Sequence, residues 1–436
     1  MFRLNIKAKV SLSTMLLTCW SFFLVSCATL GEQQAAVTLK IMAWNDYQFN
    51  VQYKQPFEAL HPKIKLEPII LDTSNGVPYD EMLELIQKQS PDVIAVTPGL
   101  FQKLAEEGAL VQLDPLIKRD QYPIEDMHPP AIEYLRAKGL GSLFGLSSYV
   151  KTQALFYNKD LFDQYRVPYP KDGMTWEEVI KLSERFKTSN GSEAVQGLVA
   201  GGYRYGKGHF SVEMAELMQL SYLDRQGERV VIQTKPWKEL FETIDRAFRL
   251  GAIVVQEEEE PNGFMEGKAA MTIGTPTTAL QLGELDRAKS KRKEWPLLNW
   301  QMVTSPGGPA ESNPGTWSLD HILAIPESSA YPEEAWTFIQ FITSKEHTIG
   351  GGSLWSGHMR EISGRSQEPF YKYPPKVEKH EPMNVPGKFH EQFYMIVNEH
   401  LEQVLERKAT IDEALAAIQQ EGQQKLDALR QELDRE

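Results

Sequence analysis

Apolar positions along this chain change period repeatedly, and the changes mark its elements. Residues 37–43 (VTLKIMA) alternate, with Val37, Leu39 and Ile41 on one face, which predicts a strand. Residues 50–60 suit a helix ending before Pro62, and Ile64-Lys65-Leu66-Glu67 alternates again. Met82, Leu85 and Ile86 recur at helical spacing within residues 79–89. Asp92-Val93-Ile94-Ala95-Val96 is a near-continuous apolar run closed by Pro98-Gly99, the pattern of a strand covered on both faces. Strands alternating with helices imply βαβ units around a parallel sheet. Ligands of such sheets sit beyond the carboxyl ends of the strands, here Trp44-Asn45-Asp46-Tyr47 and Thr97-Pro98-Gly99.

Residues 100–107 are predicted helical, and 108–114 form a turn and a docked loop. The stretch 145–186 begins extended, with Leu155, Phe156 and Tyr157, passes a polar cluster at Asn158-Lys159-Asp160, and turns at Pro168 and Pro170. A capping box then opens a helix: Thr175 accepts from the amide of Glu178, whose carboxylate accepts from the amide of Thr175. Residues 197–208 (GLVAGGYRYGKG) read as a strand end running into a loop rich in Gly and Tyr. Helices are expected over 211–223 and 236–250, an acidic surface loop over 256–263, and strands over 267–274, 300–304 and 317–325. Pro332 fits a first helical position ahead of an apolar face of Ala335, Phe338, Ile339 and Ile342. Phe389, Phe393, Val397, Leu401 and Val404 continue a helical stripe, and Thr410-Ile411-Asp412-Glu413 caps a last helix.

With 436 residues, 42% hydrophobic and 24% charged, the chain can bury cores for about two or three domains. Its net charge of −13 is spread along the sequence. That excludes nucleic acid as the partner, because phosphate binding needs a basic surface. Arg3, Lys7 and Lys9 precede a mostly apolar run at 10–25, too short for a membrane span, and then Leu24-Val25-Ser26-Cys27. This start resembles the lipobox of bacterial lipoproteins. The resemblance implies a signal peptide at 1–26, a lipidated Cys27 and a polar tether at 27–36; an ordinary secretory signal is the other reading. Cys19 would be removed, so neither an internal disulfide nor a cysteine metal site is expected. No metal or cofactor is expected.

Six stretches in order resemble one family: TLKIMAWND with FEALHPKIKLE; PDVIAV; FGLSSYVKTQALFYNKDLFDQYRV with TWEEV; FMEGKAAMTIG; GTWSLDHILAIPESSAYPEEAWTFIQFITSKE; and NVPGKFHEQFYMIVNEHLEQVLERKATIDEALAAIQ. They are similar to the extracellular solute-binding proteins of bacterial ABC importers, in the group of maltose-binding protein. The resemblance implies an α/β, two-lobed periplasmic-binding-protein-like fold, each lobe a mostly parallel sheet flanked by helices, joined by a hinge with multiple crossings. By that likeness lobe one comprises 37–149 and 274–318, and lobe two 150–273 and 319–436. It further implies capture of a carbohydrate by hinge closure, delivery to the membrane subunits of an ABC permease, and action as a lipid-anchored monomer on the outer face of the cell membrane. The sequence departs from the family at Gly145-Leu146-Ser147, where Gly-Leu-Pro is usual, and at Gly357-His358-Met359-Arg360, where Pro-Ala-Arg is usual. Both departures fall near the family's cleft.

A sugar cleft needs aromatic rings beside polar planar groups. Trp44, Asn45 and Asp46 follow the first strand, although Trp44 is equally suited to a core and Asp46 to a helix cap. Thr97 follows PDVIAV, and Tyr149 and Gln153 lie where the chain crosses between lobes. Tyr203 and Tyr205 occupy the Gly-rich loop, which matches an aromatic cleft loop of the family. Thr275 follows AMTIG, where the family often places an aromatic. Trp317, Trp355 and Arg360 complete the candidates.

Catalytic motifs fall short. Gly201 to Lys207 nearly spells a phosphate loop, but Gly208 stands where Ser or Thr is needed. His390-Glu391 starts like a zinc-protease helix without its second His, and no G-x-S-x-G elbow occurs. Binding without chemistry is the expectation. Two alternatives fit the residues: the same fold taking a non-sugar solute, and a lipid-anchored carbohydrate hydrolase or lyase using an acid pair.

Overall fold

The computed structural model describes residues 36–43, 45–70, 79–186, 195–256, 262–292, 297–307, 317–347, 354–357, 361–362, 364–373 and 385–433. The lipobox and tether, Trp44, Arg360 and the acidic run 257–260 lie outside them.

Ten of the strands build two sheets. In the first lobe, β1 (Val37–Ala43) pairs in parallel with β2 (Ile64–Ile70). β3 (Ile94–Val96) adjoins β1 through the Ile41–Val93 bridge. β10 (Trp317–Ala324) lies antiparallel between β3 and β4 (Gly145–Thr152). In the second lobe the order is β7 (Ile253–Val255), β6 (Gln196–Ala200), β8 (Ala269–Gly274), β5 (Ala154–Asn158) and β9 (Trp300–Thr304). β7, β6 and β8 run parallel, while β5 is antiparallel to both its neighbours. The buried run at 93–96 and the wholly buried β5 are interior strands, as their unbroken apolar pattern requires.

Each lobe has its own interior. One core takes residues from β1 to β4, from β10 and from the helix Pro332–Ile342. A second is centred on Phe162, Trp176, Trp237, Phe389 and Phe393, and a third covers the other face of the second sheet with Phe156, Trp300 and Phe370. The partition expected from the family likeness is therefore corrected at two segments. β9 and the helix Pro276–Arg292 belong to the second lobe, since β9 pairs with β5 and Ala279 and Leu282 pack against Trp300 and its neighbours. β10, the helix Pro332–Ile342 and Trp355 belong to the first lobe, because β10 completes its sheet and Trp336, Phe338 and Trp355 fill its core.

Local chemistry explains the ends of elements. The Thr175–Glu178 capping box forms, with Thr175 N donating to Glu178 Oε2 at 2.8 Å and Glu178 N to Thr175 Oγ1 at 3.2 Å. Thr410 and Glu413 repeat it at the start of the last helix. The helix expected over 50–60 begins instead as a π-turn, Gln48–Lys54, and becomes α-helical over Gln55–Leu60. Pro56 has no N–H to close the α-type bond to Gln52, and Gln55 N donates one register further back, to Asn50 O.

Candidate functional site

The carboxyl ends of β6, β7 and β8 point the same way, and the chain enters the second lobe at that end: Ala154, the first residue of β5, pairs with Gly274, the last of β8. Gln153 alone separates β4 from β5. The return passage leaves β9 at Thr304, opposite Ala154, and enters β10 at Trp317, opposite Thr152. A third passage lies between Trp355 in the first core and Ile362 in the third. The first two passages thus meet at the strand ends where ligands of open sheets bind.

The wall on the second lobe is built by close helix packing. After β6 the chain makes a glycine-assisted turn, with Gly202 at φ +85° and Gly206 at φ +60°, and starts the helix Gly206–Leu217. That helix begins earlier than the 211 expected from apolar spacing. Gly208 is the reason: a Cβ there would stand 2.4 Å from Asn398 N and from Tyr394 O. Its own N–H donates to Asn398 Oδ1 at 3.0 Å. The two backbones can touch only because residue 208 has no side chain. This contact brings Tyr205 and His209 onto Tyr394 of the helix Lys388–Leu405. His209 and Tyr394 stack with centroids 4.6 Å apart and planes 10° from parallel. Tyr203 meets His209 edge-on at 5.3 Å.

Polar groups tie this wall to the crossing. Glu213, one helical turn beyond His209, accepts from Gln153 Nε2 at 2.7 Å and from the Tyr203 hydroxyl. The Tyr205 hydroxyl donates to Glu391. Burial pushes the Tyr203 phenol well up, and Glu213 adds to it. Tyr394 is raised first by burial, then by Glu216, Glu213 and Glu391. His209 is held below its ordinary value by burial, against the opposing pull of Glu213 and with a small push from Lys151. Two buried polar atoms, Gln153 Oε1 and His209 Nδ1, have no hydrogen-bond partner in the protein.

Of the expected residues, Gln153, Tyr203 and Tyr205 come together here. Thr275 is half-buried at the end of β8, its N–H donating to Thr278 Oγ1 at 3.1 Å. On the first lobe, Asn45 and Asp46 are exposed at the end of β1. It is Asn45, not Asp46, whose side chain caps, accepting from Gln48 N at 2.8 Å. Thr97 is half-buried at the end of β3, its carbonyl accepting from Phe101 N. Tyr149 is placed by its backbone in β4, opposite Asp320. Two expectations are overturned. Trp317 is 1% exposed and its indole N–H donates to Tyr373 O at 2.8 Å, so it braces the crossing. Trp355 is 6% exposed and donates to Thr343 O inside the first core. His209, Glu213, Glu391 and Tyr394 were not anticipated, and Tyr47, 68% exposed beside Asp46, was read as part of the strand end without being counted among the candidates. The one available signal for Tyr47 was its place just past the first strand. Among the described residues no cluster of His, Cys, Asp and Glu is gathered to hold a metal ion.

Comparison with known proteins places these features. The family model described as bacterial extracellular solute-binding protein matches residues 42–349. A binding protein of Brucella abortus is 25% identical over 333 residues, 74% of each chain. The arabinooligosaccharide-binding protein of Bacillus subtilis is 25% identical over 325 residues, 71% of this chain and 69% of that protein. The structure of the sugar-binding protein MalE from Xanthomonas citri covers 92% of this chain and 100% of its own, with a TM-score of 0.58 and 18% identity.

Proposed function

The chain belongs to the bacterial extracellular solute-binding proteins, and from that membership we propose that it captures a carbohydrate, a mono- or oligosaccharide, between its lobes and delivers it to an ABC permease. The observation that carries this reading is the second-lobe wall. Rings of Tyr205, His209 and Tyr394 stand beside Gln153 and Glu213, at the end of the sheet where the lobes join, with Tyr203, 7% exposed in the second core, packed edge-on behind His209. Flat rings suit the C–H faces of a sugar, and the carboxylate and amide suit its hydroxyls. Asn45, Asp46, Tyr47 and Thr97, at the carboxyl ends of β1 and β3, supply the facing rim, with Thr275 on the near side. A relative whose name states arabinooligosaccharide binding supports the ligand class.

The mechanism is binding without chemistry: capture, bending at Gln153 and the return passage, and hand-off. Lipidation at Cys27 would hold the protein beside its transporter. Among the described residues no helix is long and apolar enough to cross a membrane. The test is a thermal-shift screen of the purified protein with neutral and charged saccharides. A ligand at about 100 times its Kd stabilises by about 2.7 kcal/mol. A shift with saccharides supports the proposal; no shift with any saccharide, but one with another solute, sinks the carbohydrate reading. Mass spectrometry of membrane-extracted protein tests Cys27, where an unmodified cysteine refutes the anchor.

A further inference from the structure

We propose that Glu213 selects a ligand carrying an amino group, so that the preferred solute is an amino sugar in its cationic form; this rests on the carbohydrate reading above. The hydrogen-bond inventory of the wall carries the inference. Its donors face inward onto carboxylates: Gln153 Nε2 and the Tyr203 hydroxyl go to Glu213, and the Tyr205 hydroxyl goes to Glu391. What is left unmatched is acceptor capacity. Gln153 Oε1 has no partner, and neither has His209 Nδ1. Burial keeps the His209 ring neutral near neutral pH, and Nδ1 is an acceptor in the tautomer that carries its proton on Nε2. Glu213 itself is half-buried, and among the described residues its hydrogen-bond donors are neutral and it makes no ion pair. A neutral hydroxyl donates one bond and also asks for a donor in return. An ammonium only donates, offers three N–H groups, and brings the charge that a half-buried carboxylate lacks. The parallel His209–Tyr394 rings beside Glu213 add an aromatic face of the kind cations favour.

Glu216 and Glu391 act on Tyr394 together with Glu213. Lys151 lies within electrostatic reach of His209, and exposed Arg204 lies over the Tyr205 ring at 6.0 Å. Lys207 is taken by Glu402. The cations therefore flank the wall at Tyr205 and on β4, while Glu213 sits at the root of the cleft against Gln153.

Three disaccharides of one linkage and shape test the idea by calorimetry on the purified protein: the glucosamine dimer, its N-acetylated form and the neutral glucose dimer, with spermidine as a non-sugar cation. The glucosamine dimer is expected to bind about tenfold or more tighter than the other two, with affinity falling as salt rises. Glu213→Gln, which keeps the size, should weaken the glucosamine dimer about tenfold more than it weakens the neutral dimer. Tighter binding of a neutral or acetylated dimer overturns the amine inference and leaves the carbohydrate reading standing. Equal losses for all three in Glu213→Gln overturn it too, since they make Glu213 a positioning residue. Spermidine binding with no saccharide binding sinks the carbohydrate reading, and silence from all four sinks both.

Discussion

Trp317 has 1% of its surface exposed and spends its one N–H on the Tyr373 carbonyl. His128 packs against it at 5.4 Å, and Thr152 beside it donates to Phe370 O at 2.7 Å. These contacts pin two chain passages to the third, so Trp317→Ala should cost about 3–5 kcal/mol of stability, read from denaturant midpoints. Trp317→Phe should cost only about 1 kcal/mol and leave saccharide affinity unchanged, because it loses one hydrogen bond in the hinge and nothing in the cleft; a large loss of affinity with intact stability would return Trp317 to the site. Tyr205 is the opposite case, a half-buried ring on the wall. Tyr205→Ala should weaken binding by about 1 kcal/mol or more in calorimetry, with the fold retained. His390 predicts a pH dependence. It is buried beside the Tyr222 hydroxyl, and burial holds it down at about 4. Since its folded value is depressed, the unfolded chain binds protons more readily, and acid favours unfolding. Its contribution is complete above about 6.5 and is lost as pH falls toward 4. Urea midpoints should drop across that window in the parent and less in His390→Gln; parallel curves would count against this assignment.

At the level of elements, the packing of the helix Gly206–Leu217 on Lys388–Leu405 decides whether the wall exists. Gly208→Ala puts a methyl against backbone N and O at 2.4 Å, which no side-chain rotation relieves. Overpacking of this kind costs about 1–3 kcal/mol. Spreading the helices should also separate His209 from Tyr394, so affinity should fall along with the melting temperature; unchanged affinity in a folded Gly208→Ala protein would mean the wall does not touch the ligand. This contact also marks the limit of what local pattern conveys. Alternation in 37–43, the run at 93–96 and the Thr175 and Thr410 boxes were legible because each is set by neighbours in sequence. The start at Gly206 was not, because four glycines in the eight residues 201–208 signal a loop until the partner helix explains Gly208. Gln153, Tyr203 and Tyr205 were legible as strand-end residues. His209, Glu213, Glu391 and Tyr394 lie on helices whose apolar spacing reports only the face turned to the core. The exchange of β9 and β10 between lobes escaped notice for a related reason. Both are short apolar strands, and only pairing with β5 or with β3 and β4 assigns them.

Taken whole, the molecule is two lobes joined by three passages, with Tyr371 packing at the border of the first and third clusters. Among the described residues the first cluster shares only Tyr371 with the third and none with the second, so each lobe can lose its structure without exposing the interior of the other. Unfolding of the free protein should then depart from a two-state transition, with a calorimetric enthalpy exceeding the van't Hoff value. A ligand held by both walls changes this. It binds only when both lobes are folded, so its free energy is lost when either opens, and saturation couples them. Calorimetry with rising saccharide should show the two enthalpies converging as the transition moves up. Small-angle scattering should show the radius of gyration falling over the same titration as the lobes close. Equal enthalpies in the free protein would show that the hinge already couples the lobes. A rising transition without convergence would show a ligand held by one wall alone, which would confine the site to Tyr203, Tyr205, His209, Glu213 and Tyr394 and remove Asn45, Asp46 and Thr97 from it.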